Sequence, residues 1–140
     1  MKRRADCIFA AGLFEGEGTV YIAPATMKSS THLGHLTIAV SSTDRKTIEF
    51  LVNRWPGYFG HVPPRTESHR EYWRWQLIAN KAASFLKDIR PYLVSDRNRA
   101  RADLGIAYQD QKERRNRPTQ EYRDRQQQYH LQMKNLTNTR

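Results

Sequence analysis

Residues 9–20 read FAAGLFEGEGTV, an apolar and small-residue segment that ends in two glutamates separated by one glycine. Apolar or small side chains cover more than one side of a helix over residues 4–15, so we expect a helix buried on more than one face. Gly16 and Gly18 are expected to end it, because glycine adopts positive φ without a steric penalty. The helix dipole disfavours carboxylates at the C-terminal end of a helix, so the two glutamates at this end indicate a functional role rather than a stabilising one.

The composition is that of one globular domain. The chain has 140 residues, of which 38% are hydrophobic and 27% are charged. No stretch approaches the roughly 18 apolar residues of a membrane-spanning helix, and no signal-peptide cleavage pattern follows the basic amino terminus. We therefore expect a soluble, intracellular protein. The single Cys7 excludes an internal disulfide, and no Cys/His set has zinc spacing.

The charge balance is strongly basic. The net charge is +10 and the pI is about 10.1. Residues 1–96 carry 13 Lys and Arg against 9 Asp and Glu, and residues 97–140 carry 11 against 5, so both parts contribute. This excess indicates an anionic polymer as partner. Nucleic acid is favoured over a membrane, because no long basic stripe is backed by Trp and Leu.

Four strands and several helices are predicted around the opening helix. β-Branched and aromatic residues at 19–25 and 35–42 indicate the two strands of a hairpin. Asp44 is a suitable N-cap for the helix after it, and Asn80 for the next helix. Pro91 is expected to bend or interrupt that next helix, since it lacks an amide hydrogen. The remaining predicted elements are helices at 45–55, 81–93, 96–108 and 119–136, a short strand within 56–65, and a strand at 70–78.

The stretch Ala10-Ala11-Gly12-Leu13-Phe14-Glu15-Gly16-Glu17-Gly18 resembles the nonapeptide that names the LAGLIDADG homing endonucleases, with Ala10 in place of the first Leu. RPYL followed by RNRARADL, within residues 90–104, resembles the PYL segment and basic helix of that family. The resemblance covers roughly residues 5–105. It implies an α+β fold with an αββαββα core and a four-stranded antiparallel DNA-binding sheet, plus a C-terminal helical tail. We accordingly predict a core at 1–105 and a basic helical extension at 106–140.

The resemblance also assigns roles to the acidic residues. It implies that Glu17 is the metal ligand, helped by the backbone carbonyl of Gly16, and that Glu15 supports the geometry of the motif. The implied cofactor is Mg²⁺, for which Mn²⁺ or Ca²⁺ can substitute in the site, since hard cations prefer carboxylate and carbonyl oxygen. Such ions activate water in phosphodiester hydrolysis. No small-molecule cofactor is implied.

Three further catalytic positions follow from the resemblance. Ser42 matches the polar residue that holds the attacking water in relatives, and Lys46 matches a basic residue at the start of the next helix. Ser42 and Lys46 are equally well explained as ordinary turn and surface residues. Asp96 falls where relatives have a lysine, and an acid cannot stabilise phosphate charge. Arg97, or failing that Arg99, is therefore expected to take over that task.

The small residues of the motif indicate a close helix pair. With one copy of the motif, the simplest partner is the same helix of a second subunit, packed about a two-fold axis. That arrangement brings two copies of Glu17 together, and cations would neutralise their repulsion. The residues expected in this dimer interface are Ala10, Ala11, Gly12, Phe14 and Glu15.

The alternation of residues 72–77 predicts which face of the sheet is free. Trp73, Trp75 and Leu77 are expected to pack inward, which leaves the opposite face to contact DNA. Arg, Lys, Gln and Thr are side chains that read base edges and hold phosphates. The expected DNA-binding residues are Tyr21, Ala23, Lys28, Ser30, His35, Thr37, Arg65, Arg70, Tyr72, Arg74 and Gln76.

The sequence is therefore interpreted as a homodimeric, Mg²⁺-dependent DNA endonuclease of the homing type, linked to intron or intein mobility, that cuts a long pseudo-palindromic site. One alternative is an inactive relative that acts as an RNA maturase or DNA-binding regulator. A second is an unrelated basic RNA-binding or ribosome-associated protein. The tail is read as a helix packed on the edge of the core, with an alternative in which KERRNR, residues 112–117, follows DNA phosphates.

Overall fold

A computed structural model describes residues 3–24, 34–112 and 119–138, and has the predicted α+β architecture. The order αββαββα is confirmed, and two more helices follow it. The elements are α1 (Arg4–Glu17), β1 (Gly18–Ile22), β2 (Leu36–Ser42), α2 (Arg45–Arg54), β3 (Tyr58–Val62), β4 (Tyr72–Ile78), α3 (Ala79–Ile89), a short 3₁₀ turn (Arg90–Tyr92), α4 (Asp96–Gln111) and α5 (Gln120–Asn138).

The four strands form one antiparallel sheet in the order β1-β2-β4-β3. Because side chains alternate along a strand, one face of this sheet packs on the helices, and none of the helices in the described residues packs across the other, which we call the free face. Trp75 and Leu77 are buried on the helical face, as predicted, and Trp73 is partly buried there. Trp75 also donates its indole hydrogen to the carbonyl of Trp55, at 2.8 Å, which ties β4 to the end of α2.

Helix α1 ends later than predicted. It continues through Gly16 to Glu17, and Gly18 already has the extended dihedrals φ −79° and ψ 141°. Positive φ is therefore not the reason for glycine at this point. A Cβ on Gly18 would collide with the ring and the carbonyl of Phe14, so glycine lets β1 start directly against the buried side of α1.

The other helix boundaries are set by local chemistry. Asp44 caps α2, as predicted, by accepting from the amide of Lys46 at 3.0 Å. The cap predicted at Asn80 is wrong, because α3 begins at Ala79, which has a left-handed φ of 54°, and Ile78 is the N-cap. The side chain of Asn80 instead accepts from Gln109 of α4 at 2.8 Å. Pro91 lies in the 3₁₀ turn that ends α3, as expected for a residue without an amide hydrogen.

The C-terminal part of the chain packs on the core through two helices. Helix α4 runs across residue 105, where the sequence predicted a division, and contacts both α3 and α5. The division into a core at 1–105 and an extension at 106–140 stays a prediction. None of the helices in the described ranges is long and apolar enough to span a membrane.

Candidate active site

Glu17 lies in an open cleft where α1, β2 and β4 come together. The register brings these elements together, because Gly18 pairs with Val40 across β1 and β2, and Ser42 pairs with Trp73 across β2 and β4. The last residue of α1 thus lies beside the end of β2. The cleft has a volume of about 530 Å³ and is lined by Glu17, Ser41, Ser42, Thr43 and Tyr72.

The cleft combines one exposed carboxylate with four hydroxyl groups. Ser42 accepts a hydrogen bond from the backbone amide of Asp44 at 3.0 Å, which holds its side chain at the end of β2. Its own hydroxyl hydrogen is not used in that bond, since the oxygen is the acceptor. A carboxylate surrounded by hydroxyl oxygens can hold water, a hard cation or phosphate oxygens.

The environment of Glu15 differs from that of Glu17, although only Gly16 separates the two residues in the sequence. Its Oε1 accepts from the backbone amides of Val94, at 2.7 Å, and Ser95, at 3.2 Å, and its Oε2 accepts from the Asn98 side chain at 2.9 Å. Burial raises the pKa of Glu15, but the hydrogen bonds from Asn98, Val94 and Ser95 outweigh it and leave the pKa below its ordinary value. Glu15 therefore ties the end of α1 to the start of α4.

A buried arginine extends this tie. Asn98 is 2% exposed, and its side-chain oxygen accepts from the guanidinium of Arg101 at 2.8 Å. Arg101 is 3% exposed, and burial followed by the charge of Arg97 lowers its pKa. The Asn98 side chain thus donates to the Glu15 carboxylate and accepts from the Arg101 guanidinium, so it bridges the two charged groups. Because a buried charge is costly unless it is compensated, Glu15 and Arg101 support each other through Asn98.

The basic residues predicted for catalysis lie outside the cleft lining. Lys46 is exposed in the first turn of α2, and Arg97 donates to the carbonyl of Thr137 in the last turn of α5, at 3.4 Å. Arg99 donates to the carbonyl of Leu93 at 2.8 Å. Asp96 is the first residue of α4, where the helix dipole favours an acid. The catalytic roles of Lys46 and Arg97 stay predictions.

The residues predicted for the dimer interface differ in exposure within the single chain, and their role in a dimer stays a prediction. Ala10, Ala11 and Phe14 are at most 1% exposed within a single chain. The small side chains of Ala10 and Ala11 allow α1 to approach α3 and β2, and the Phe14 ring packs toward Phe85 of α3. The Glu15 carboxylate is engaged within the chain, as described above.

The face of α1 that is open to a partner is a different one. Ile8 is 48% exposed and Phe9 is 51% exposed. Gly12 and Gly16 are exposed, and a Cβ added to either would meet no atom of the described residues within 4 Å beyond the neighbouring backbone of α1. Of the predicted interface residues, only Gly12 lies on this face. We call Ile8, Phe9, Gly12 and Gly16 the outer face of α1.

Five of the eleven residues predicted to contact DNA lie on the strands of the free face: Tyr21, Thr37, Tyr72, Arg74 and Gln76. Arg74 and Gln76 share this face, since Arg74 Nε donates to Gln76 Oε1 at 3.3 Å. Thr37 lies opposite Tyr21 in the β1–β2 register. Arg65 and Arg70 are exposed in the connection between β3 and β4, not within the strands as predicted. Ala23 and His35 flank the strands, and Lys28 and Ser30 lie outside the described residues.

Sequence reasoning missed four residues around the site. Ser41 and Thr43 line the cleft, and their position beside Ser42 was the available signal. Asn98 and Arg101 belong to the basic segment RNRARADL, but nothing in that segment marks two members as buried. Asn98 reaches Glu15 and Arg101 lies over the Phe14 ring, and a local pattern does not encode such contacts between distant residues.

Comparison with solved structures identifies the fold. The homing endonuclease I-CvuI, in complex with its target in the presence of 2 mM Ca, matches with a TM-score of 0.76 and 12% sequence identity over 98% of this chain and 85% of that chain. I-CvuI in complex with an I-CreI target in the presence of 2 mM Mg, where the DNA is not cleaved, matches with a TM-score of 0.75 and 12% sequence identity. This match also covers 98% of this chain and 85% of that chain. No protein-family model and no curated protein matches the sequence. Together with the nonapeptide at residues 10–18, these matches give this chain the fold of the LAGLIDADG homing endonucleases.

Proposed function

We propose that this chain is the subunit of a homodimeric, Mg²⁺-dependent DNA endonuclease of the homing type. The observation that carries the proposal is the open Glu17 carboxylate in a hydroxyl-lined cleft, next to the free face of a β-sheet. The fold match to an endonuclease in complex with DNA supports the same reading. Mobility of an intron or intein is the biological role that a homing-type activity would serve.

The donor atoms of the cleft fit a hard divalent cation. Glu17 offers a carboxylate, and the Gly16 carbonyl and nearby hydroxyl groups offer further oxygens, which are the ligands that Mg²⁺ prefers. In the described part of the chain, no three His, Cys, Asp or Glu side chains are close enough to hold an ion together. A second carboxylate would therefore have to come from another subunit, with phosphate oxygens as further ligands. The bound ion would supply activation of water and stabilisation of the leaving oxygen.

The outer face of α1 supports the dimer. Two exposed apolar side chains beside two exposed glycines form a surface that a second helix can approach closely. A two-fold axis next to this face would pair each residue with its own copy. Glu17 follows Gly16 directly, so pairing of the two helices would bring the two Glu17 carboxylates near each other. Each subunit would then cut one strand of the DNA.

The free face of the sheet is the proposed DNA surface. It presents four side chains that can contact DNA: Arg74, Gln76, Thr37 and Tyr21. Their hydrogen-bond donors and acceptors can bind base edges and phosphates. Tyr72 links this face to the cleft, because it belongs to β4 and also lines the cleft with Glu17. In a dimer, two such faces would span a long, pseudo-palindromic duplex.

The alternative function is a binding protein on the same scaffold, an RNA maturase or DNA-binding regulator without cleavage. Asp96 favours it, because an acid stands where the family resemblance requires a lysine. The open position of Glu17 favours the nuclease, since a protein that only binds DNA does not need an exposed carboxylate beside its binding surface.

The proposal is tested by cleavage of a randomised plasmid library. The wild-type protein is incubated with the library in Mg²⁺ and in EDTA, beside Glu17→Gln prepared in the same way. We expect linearised plasmids that share a sequence only for the wild type in Mg²⁺. Sequence-selective binding without cleavage would favour the regulator. Equal cleavage by Glu17→Gln would refute the assigned site.

A further inference from the structure

Helix α5 covers the open edge of the sheet. Strand β1 pairs with β2 on one side, and on its other side α5 runs along it. His130 Nδ1 donates to the carbonyl of Ile22 at 2.6 Å. The His130 and Tyr21 rings pack edge to face, with 5.9 Å between their centroids. An uncovered edge strand would present unpaired backbone groups to other chains. Covering it accounts for the position of α5 but not for the buried polar groups next to it.

Those polar groups hold the two ends of the β1–β2 connection. Gln126 is 1% exposed, and its Nε2 donates to the carbonyl of Ala23, just after β1, at 2.8 Å. Its Oε1 accepts from the hydroxyl of Tyr108, at 2.5 Å. The carbonyl of Gly34, just before β2, faces the Tyr108 hydroxyl at 3.1 Å and accepts from Lys112 Nζ at 2.7 Å. We call Tyr108 and Gln126 the hairpin clamp.

The clamp is tightly fitted. Gly34 has φ +43°, which favours glycine, and a Cβ there would lie 2.6 Å from the Cβ of Ala23 and 3.1 Å from Gln126 Nε2. Tyr108 is fully buried, and burial raises its pKa, so the hydroxyl keeps the hydrogen that it donates. A satisfied buried network of this kind fixes one arrangement, because any shift leaves a polar group without a partner.

We propose that Tyr108 and Gln126 are positioning residues for DNA recognition, which act by fixing the β1–β2 hairpin and with it the orientation of Tyr21 and Thr37 on the free face of the sheet. This inference rests on the proposed function and assigns a role to α5 within it. The clamp contacts the two strand ends on the side away from the cleft residues, so it sets which bases the hairpin can reach and leaves Glu17 untouched.

The test is selection from a randomised duplex library, without Mg²⁺ so that no DNA is cut. Tyr108→Phe removes only the clamp hydroxyl. Tyr129→Phe is the matched control, because the Tyr129 ring packs on Tyr108 at 5.4 Å but lies outside the clamp. Thr37→Ala marks the base positions that depend on the hairpin, and Arg74→Ala marks those that depend on β4.

We expect Tyr108→Phe to weaken base preference about tenfold at the positions that Thr37→Ala affects, the size of one lost base contact. Preferences at the Arg74→Ala positions, and all preferences of Tyr129→Phe, should match the wild type. A Tyr108→Phe profile equal to the wild type, or weakened evenly at every position, would overturn the inference. If the wild type enriched no sequence at all, the proposed function would fail instead.

Amide hydrogen exchange tests the clamp without DNA. Loss of the Tyr108 hydroxyl leaves Gln126 Oε1 without its donor, so Tyr108→Phe should exchange about fivefold faster or more over residues 20–22 and 36–38. Exchange in α1 and in Tyr129→Phe should stay at the wild-type rate. Unchanged protection of both strands in Tyr108→Phe would overturn the inference independently of any DNA result.

Discussion

The two faces of α1 contain similar residue types and differ in burial. Ala10, Ala11 and Phe14 on the inner face are buried within one chain, and their small and aromatic side chains fit against α3 and the sheet. Phe9 and Gly12 on the outer face are exposed, although they come from the same apolar segment. An apolar helix next to a site therefore cannot be assigned as a whole to a core or to an interface. Each face has to be assigned by what it contacts.

The two glutamates at the end of α1 repeat this division. Glu15 follows the inner face and is held by three hydrogen bonds from the start of α4. Glu17 follows the outer face and opens into the cleft. If this division is correct, substitutions on the inner side should change stability, and those on the outer side should change assembly or cleavage.

The largest expected effect on stability comes from the inner face. Phe14→Ala should lower the free energy of unfolding by about 3–5 kcal/mol, since it removes a buried ring that packs on Phe85 and against Gly18. Urea unfolding followed by tryptophan fluorescence measures this loss. Phe9→Ala is the matched control on the outer face, where the ring touches Phe50 only at the surface, and should cost about 1 kcal/mol or less. Equal losses would contradict the division of the two faces.

Glu15→Gln should lower the free energy of unfolding by about 1–3 kcal/mol. The amide that replaces Oε2 is a donor, so it faces the Asn98 donor and leaves the Asn98–Arg101 pair without its negative charge. Glu121→Gln, an exposed glutamate in the first turn of α5, is the matched control and should stay within about 0.5 kcal/mol of the wild type. A loss no larger than that of the control would show that the tie is not energetically significant.

The Glu15 tie also predicts a pH dependence. Its folded pKa lies below the ordinary value of 4.5, so its contribution is fully present above that value and is lost as the pH falls through the folded pKa. The difference in unfolding free energy between wild type and Glu15→Gln should therefore shrink from neutral pH to about pH 3. A difference that grows on acidification would have the wrong sign.

Gly12→Gln should change assembly and leave the fold of the subunit intact. Among the described residues, a new Cβ at this position would meet no atom within 4 Å beyond the neighbouring backbone of α1, and glutamine is a better helix former than glycine by roughly 0.5–1 kcal/mol. In the proposed dimer, the same side chain would separate the two helices. Sedimentation should show a monomer where the wild type is a dimer. Ser84→Gln, at an exposed site of α3, is the control and should remain dimeric.

A dimeric Gly12→Gln would place the interface elsewhere, and a monomeric wild type, with and without DNA, would refute the dimer itself. Either outcome would leave the inner face and its stability predictions intact.

The fold followed from local patterns that have a direct physical cause. The alternation over residues 72–77 predicted the buried face of β4, and Asp44 predicted the start of α2, because each depends on neighbours in the chain. The end of α1 was predicted too early, since the requirement for Gly18 comes from the Phe14 ring and not from backbone dihedrals. That packing requirement involves a side chain from the preceding turn of the helix.

The site was predictable only in part. The nonapeptide separated Glu17 from Glu15, but it did not tell the inner face of α1 from the outer face, because Ala10 and Gly12 are both small. The charge compensation between Glu15, Asn98 and Arg101 joins residues far apart in sequence. The hairpin clamp likewise joins Ala23 and Gly34 to Tyr108 and Gln126, and a single sequence contains no local signal for such contacts.

The most direct test of the account measures cleavage and stability together for Glu17→Gln, on a target selected by the wild type in Mg²⁺. The account predicts a loss of cleavage of about 100-fold or more, because a metal ligand is removed, and an unfolding free energy within about 0.5 kcal/mol of the wild type. Glu121→Gln should change neither quantity. Wild-type cleavage by Glu17→Gln, or a loss of cleavage that only follows a loss of folded protein, would contradict the assignment of Glu17 as the catalytic carboxylate.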